Sequence, residues 1–157
     1  MIRKLILWIL VISCAATIFF FSSQEAVDSD KVSYGFVASF IRMLDFDNSM
    51  TDKEIYAAAE KLNNVVRVFA HFTIFGVLAF LLYLLFNEYG KVYIKCFLYS
   101  TIVTFFYSCT DEFHQSFVPG RSAQISDIIT DSLGGICGAL VAGFIVKLIG
   151  LIKRSHK

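Results

Sequence analysis

The stretch that decides the fold runs from Asp111 to Gly138, DEFHQSFVPGRSAQISDIITDSLGGICG, and sets acids, amides, a histidine and an arginine between two apolar runs. An ionisable side chain at membrane depth costs about 2.5–3.5 kcal/mol on insertion scales, so such residues at the ends of spans point to function. Val118-Pro119-Gly120-Arg121 suits a type II turn, with proline presetting the first central residue and glycine supplying positive φ at the second. The chain therefore reverses here and joins two antiparallel helices. Ser122 is the expected N-cap of the second of them, which places Asp127 in the first turn, where the helix dipole favours a negative charge. Asp131 follows about 6 Å along the same face. Gly134, Gly138 and Ala142 continue that face as a stripe of small residues suited to close helix packing.

Composition supports the same reading. Of 157 residues, 57% are hydrophobic and 17% charged, with one proline and seventeen phenylalanines, which is the balance of a polytopic membrane protein. No basic run is long enough to grip a phosphate backbone, so nucleic acid is excluded as a partner. Four apolar segments approach the roughly 20 residues that cross about 30 Å of hydrocarbon. They are Leu5 to Phe21, Val68 to Phe86, Val92 to Ser108 and Ile125 to Ile149. The expected fold is all-α, a four-helix transmembrane bundle forming one domain over 1–157. The first segment also fits a signal peptide, since Arg3 and Lys4 precede it and Val11-Ile12-Ser13-Cys14 is similar to a lipoprotein cleavage box. Retention is favoured, because the apolar run continues past Cys14 through Ile18-Phe19-Phe20-Phe21.

Lysine and arginine in the short flanks set the orientation. Arg3, Lys4, Lys91, Lys95, Lys147, Lys153, Arg154 and Lys157 share one side if both termini are cytoplasmic, in a multi-pass protein of the cell membrane. Every acid except Glu88 then lies outside, and the stretch 111–138 faces outward. Cys14, Cys96, Cys109 and Cys137 offer no C-x-x-C pair and no disulfide framework, and serve as small apolar fillers.

The extracytoplasmic segment 22–67 is expected to hold two short helices. Val32, Phe36, Val37, Phe40, Ile41 and Leu44 recur at helical spacing behind Ser29 or Asp30 as cap, suiting a helix on the membrane surface or over the spans. Thr51-Asp52-Lys53-Glu54 is a capping box opening a second helix that runs toward Arg67. Asp45-Phe46-Asp47-Asn48-Ser49 separates them, and lacks the central glycine and closing glutamate of a calcium loop.

Arg67 and His71 lie one turn apart at the outer end of the second span, and so share a face. In the third, Thr101, Thr104, Ser108, Asp111 and Glu112 form a polar stripe that must face the bundle, because lipid offers it no partners. Two roles stay open for this cluster, a charge-paired clamp between helices and a clamp that is also a binding or catalytic site.

At these residues the chain resembles the VanZ-like family of membrane proteins, named for a teicoplanin-resistance protein. The resemblance rests on Asp111-Glu112-x-His114-Gln115-x-Phe117-Val118-Pro119-Gly120-Arg121, followed by Asp127, Asp131, Gly134 and Gly138. Ser22-Ser23-Gln24 with Ser29 and Ser33, and Arg67, Ala70, His71, Phe72 and Leu78, also match. Val68, Ile74 and Phe75 stand where the family commonly carries a lysine and a Glu-Tyr pair. The resemblance implies an envelope protein affecting glycopeptide susceptibility, and brings no reaction with it. Ligand-binding candidates are Gln24, Arg67, His71, Asp111, Glu112, His114, Gln115, Arg121, Asp127 and Asp131. As chemistry, Asp111, Glu112, Asp127 and Asp131 are acids or metal ligands, His71 and His114 bases or ligands, and Arg67 and Arg121 anion clamps. Neither H-E-x-x-H nor a nucleophile elbow nor a phosphate loop is present, and no cofactor is implied. Two functions follow: a protein binding membrane lipid, a lipid-linked cell-wall precursor or a glycopeptide headgroup, and an intramembrane metal-assisted hydrolase or transferase acting on such a headgroup.

Overall fold

The computed structural model describes residues 1–24, 26–45 and 49–155, all helix and connecting turn. In chain order the helices are α1 (Ile2–Ser22), α2 (Ala26–Leu44), α3 (Asp52–Glu88), α4 (Tyr93–Gln115) and α5 (Ile125–Ser155). Among the described residues three segments are long and apolar enough to cross a membrane: Ile2–Ser22, Val65–Glu88 and Ile125–Lys153. Each begins earlier or ends later than its expected counterpart, or coincides at one end. α4, the third expected span, has 23 residues and sufficient length, but its buried stripe of Ser100, Thr104, Ser108, Asp111, Glu112 and Gln115 makes it less apolar than the others.

α3 is the axis. It packs against every other helix, and most extensively on α5. Glycines make that contact possible. A Cβ on Gly134 would strike the carbonyl oxygen of Phe72, and one on Gly138 the carbonyl oxygen of Gly76, so the two backbones touch. Ala139 and Ala142 are buried beside them with Ala79 and Tyr83. The small-residue stripe is thus the α3–α5 seam. α1 lies across α3 through Val11 and Ile18, which pack with Phe75, Leu78, Leu82 and Leu85. Tyr107 ties α4 to α1 by donating to the Ala15 carbonyl at 2.7 Å. At the opposite end from the polar stretch, Arg3 and Glu88 meet at 3.6 Å and share a cleft with Lys153.

The segment between the first two apolar helices departs from two short helices. The second is the first half of α3, continuous for 37 residues, with the capping box intact: Glu54 N–H donates to Thr51 Oγ1 and Thr51 N–H to Glu54 Oε2. Glu54 is consequently held below the usual carboxylate range, chiefly by the Thr51 N–H. Asp45 is lowered too, first by the Met50 N–H and then by Ser49. Asp47, part of the weighed calcium loop, lies outside the described residues, whereas Asp45 spends its oxygens on the turn, accepting from Ser49 and Met50. The first helix begins at Ala26, ahead of the expected caps Ser29 and Asp30, which are inside it. Its Val37 and Ala38 pack on Ile55 and Ala59 of α3, and Arg42 bonds Asp52 at 2.8 Å. Phe36, Phe40, Met43 and Leu44 point away from that seam and are exposed, so only part of the expected apolar face is a packing face.

Candidate functional site

Steps of four, four, three and four residues put Ser100, Thr104, Ser108, Asp111 and Gln115 on one face of α4, with Glu112 beside them, all buried against the bundle. The expected member Thr101 is off this face: its hydroxyl returns to the Phe97 carbonyl at 2.9 Å, and Ser100 takes its place. Ser108 donates to Asp131 Oδ2 at 3.0 Å. The other carboxylate oxygen of Asp131 stands 3.5 Å from His71 Nδ1, without hydrogen-bond alignment. Asp131 is fully buried, and the α3–α5 glycine contact sets its distance from His71, since Phe72 follows His71 and Gly134 lies one turn after Asp131.

The Pro119-Gly120 turn forms as expected. Gly120 has φ 75° and Arg121 N–H donates to the Val118 carbonyl at 3.1 Å. It folds Arg121 back over the end of α4. Nη1 then donates to Gln115 Oε1 at 2.9 Å, and Nη2 to the Phe21 carbonyl at the end of α1 at 3.2 Å. Gln115 in turn donates to Asp111 Oδ2 at 2.8 Å, with Ser22 beside the same carboxylate. α5 starts at Ile125, so Ser122 is not its cap. Instead Glu112 Oε2, from the neighbouring helix, accepts the Gln124 N–H at 2.8 Å, while Asp127 occupies the first turn.

Among the described residues, two cavities at this end of the bundle bring the polar groups together. The larger, about 380 Å³, is walled by Gln24, Arg67, His71 and Arg121 on its polar side, and by Ile18, Phe36, Ile74 and Phe75 on its apolar side. The smaller, about 170 Å³, shares Arg67 and His71 and adds Gln115, Gln124, Asp127 and Thr130. A groove of about 670 Å³ between α1 and α3, almost wholly apolar, shares Val66, Ala70 and Ile74 with the larger cavity. Asp127 apart, which lines the smaller cavity, the charges of the described residues are sorted by depth. Arginines and His71 line the larger cavity, while Asp111 stands behind Gln115, Asp131 behind His71, and Glu112 at the start of α5.

A family model described as VanZ/LLP1 matches residues 7–147. The chain belongs to the VanZ/LLP1 family. No curated protein and no solved structure matches it.

In this VanZ/LLP1 chain the structure gathers Gln24, Arg67, His71, Gln115, Arg121 and Asp127 around the two cavities, with Asp111, Glu112 and Asp131 directly behind. It does not bring His114 to them. That ring packs on Phe19 with centroids 4.6 Å apart, and its Nε2 lies 3.1 Å from Ser23 Oγ, making it part of the α1–α4 joint. Arg121 and Asp131 are not each other's partners: the carboxylate meets Ser108 and His71, while the guanidinium reaches Gln115 and Phe21. Sequence reasoning passed over Gln124 and Phe21, which act through backbone groups and carry no side-chain signal. It also passed over Phe36 as a cavity wall, visible only as one member of a helical apolar pattern. Among the described residues no group of three or more His, Cys, Asp or Glu is disposed to hold a metal ion.

Proposed function

We propose that this VanZ/LLP1 protein is a multi-pass membrane protein of the cell envelope, a four-helix bundle with both termini cytoplasmic, whose outward cavity binds the anionic headgroup of a lipid. One observation carries this reading. Among the described residues the ionisable groups lining the larger cavity are Arg67, His71 and Arg121, while Asp127 lines the smaller one and Asp111 and Asp131 stand behind Gln115 and His71. Guanidinium groups give charge-assisted, bidentate contacts to phosphate or carboxylate. The apolar groove leading away between α1 and α3 accommodates a hydrocarbon tail, which favours a lipid over a free anion. α4 spans with its polar stripe turned inward, because the bundle supplies the partners that lipid cannot. Binding a lipid-linked cell-wall precursor in this cavity is the route by which such a protein alters teicoplanin susceptibility.

Native mass spectrometry of protein extracted in mild detergent tests the reading. Anionic lipid is expected to remain bound, and Arg67→Gln with Arg121→Gln is expected to lower its retention by about tenfold or more, the loss of one charge-assisted contact or a little over. Retention of zwitterionic lipid alone, unchanged in the double variant, refutes it. An enzymatic reading is favoured by one separate feature, the placement of Asp131 behind His71.

A further inference from the structure

We infer that His71 is a nucleophile toward the terminal phosphoryl group of a lipid pyrophosphate held in the larger cavity, with Asp131 as its positioning residue. The inference rests on the headgroup-binding reading above and names the substrate class.

The geometry has three parts. His71 lines both cavities, and its Nδ1 edge is turned toward Asp131 at 3.5 Å, which leaves Nε2 for a ligand. Asp131 is completely buried, and Ser108 fixes its Oδ2 from α4, so Oδ1 is the oxygen available to the imidazole. That oxygen has no aligned hydrogen-bond partner, nor does His71 Nδ1. A buried carboxylate oxygen left so placed is costly as structure, and as a pair it needs only a small approach of the ring to form a charge-assisted bond. Catalytic hydrogen bonds are commonly long before substrate binds. An acid behind a histidine selects the tautomer with the proton on Nδ1 and stabilises the charge that grows on the ring. Arg67 and Arg121 flank the same cavity, where two guanidinium groups suit a pyrophosphate and stabilise charge on the transferring group.

The chemistry balances without a further reactant than water. The Nε2 lone pair forms a bond to the terminal phosphorus, and the bridging P–O bond breaks with its electron pair leaving on the lipid monophosphate. That leaving group is stable as an anion and needs no proton. The phosphorylated ring keeps its Nδ1 proton and carries a positive charge against Asp131. Water then attacks phosphorus, the N–P bond breaks with its pair returning to Nε2, and both water protons depart on dihydrogen phosphate. The imidazole is neutral again.

The test incubates purified full-length protein with dioleoylglycerol pyrophosphate in detergent micelles. It measures lipid binding by native mass spectrometry, phosphate release, and phosphohistidine in alkaline-quenched peptides. Phosphate release with phosphohistidine on His71 is expected. His71→Gln should lower release per bound lipid at least ~1000-fold, and Asp131→Asn should lower kcat about 100-fold with KM changed less than about threefold. The phosphohistidine measurement uses the parent protein, so it decides even if a variant does not fold. Binding with neither release nor phosphohistidine overturns the inference and leaves the headgroup reading standing. Release undiminished in a folded His71→Gln variant also overturns it. Failure of the parent to bind this lipid or any other anionic lipid removes both.

Discussion

His71 Nδ1 and Asp131 Oδ1 face each other at 3.5 Å because Phe72 and Gly134, next along the same two helices, are in backbone contact. Position in the site is thus inherited from the seam below it. Two helices that touch through carbonyl and glycine have little freedom to slide, so the spacing of the pair is a property of the fold rather than of its own weak attraction.

That seam makes a graded prediction. Gly138→Ala puts a methyl into the Gly76 backbone, which has nowhere to retreat, and should cost about 3 kcal/mol or more. Gly135→Ala presses chiefly on Thr104 Cγ2, at 2.9 Å, and should cost less, about 1–2 kcal/mol. Thr104→Ser removes that methyl and should restore Gly135→Ala but not Gly138→Ala. Thermal melts in one detergent, run side by side, check the order.

The α2–α3 junction should open in acid. Asp45 and Glu54 have folded-state pKa values below their unfolded ones, owing to N–H donors of Met50 and Thr51. Their contribution is therefore full above the unfolded value and fades as pH falls through the folded one. Amide exchange at residues 49–55, corrected for intrinsic rate, should accelerate between pH 5 and the lower pH reached by titration, and Asp45→Asn or Glu54→Gln should flatten that dependence. Exchange equally slow throughout in the parent would contradict it.

Topology is checked by cysteine labelling from outside the cell. Cysteines placed at Ser49 and Ser122 should react with a membrane-impermeant maleimide, and one at Asn87 should not. Protection of both outer positions inverts the proposed orientation.

The clamp and the site are separated by a double substitution. Arg121→Gln with Asp131→Asn removes one cation and one buried anion together, leaving the net charge unchanged. Since the two residues have different partners, Gln115 and Phe21 for one and Ser108 and His71 for the other, their stability costs should add. The variant should still insert and melt within a few degrees of the parent, yet lose retained anionic lipid. A parent-like lipid complement at normal expression assigns the cluster to structure alone.

Much of the local geometry was legible because its signals are local. A Pro-Gly turn, a threonine with a glutamate three residues on, and small residues four apart each act within one or two helical turns, where spacing determines geometry. The misreadings share a different cause. Arg67 marks the change from polar to apolar sequence and so resembles a helix boundary, but nothing from Asp52 to Glu88 breaks the backbone and α3 runs through. Ser29 and Asp30 have cap chemistry without being at a helix end. Thr101 and Ser100 differ by one residue in phase, which only the packing of α4 against α5 decides. Gln124 contributes a backbone N–H, and any residue but proline would carry the same one.

The continuity of α3 has a mechanical consequence. Its 37 residues make a rod about 55 Å long, with His71 near the middle. No joint separates the arm that carries α2 from the end that meets Arg3. A tilt of α3 about the height of His71 therefore moves both ends at once and in opposite directions.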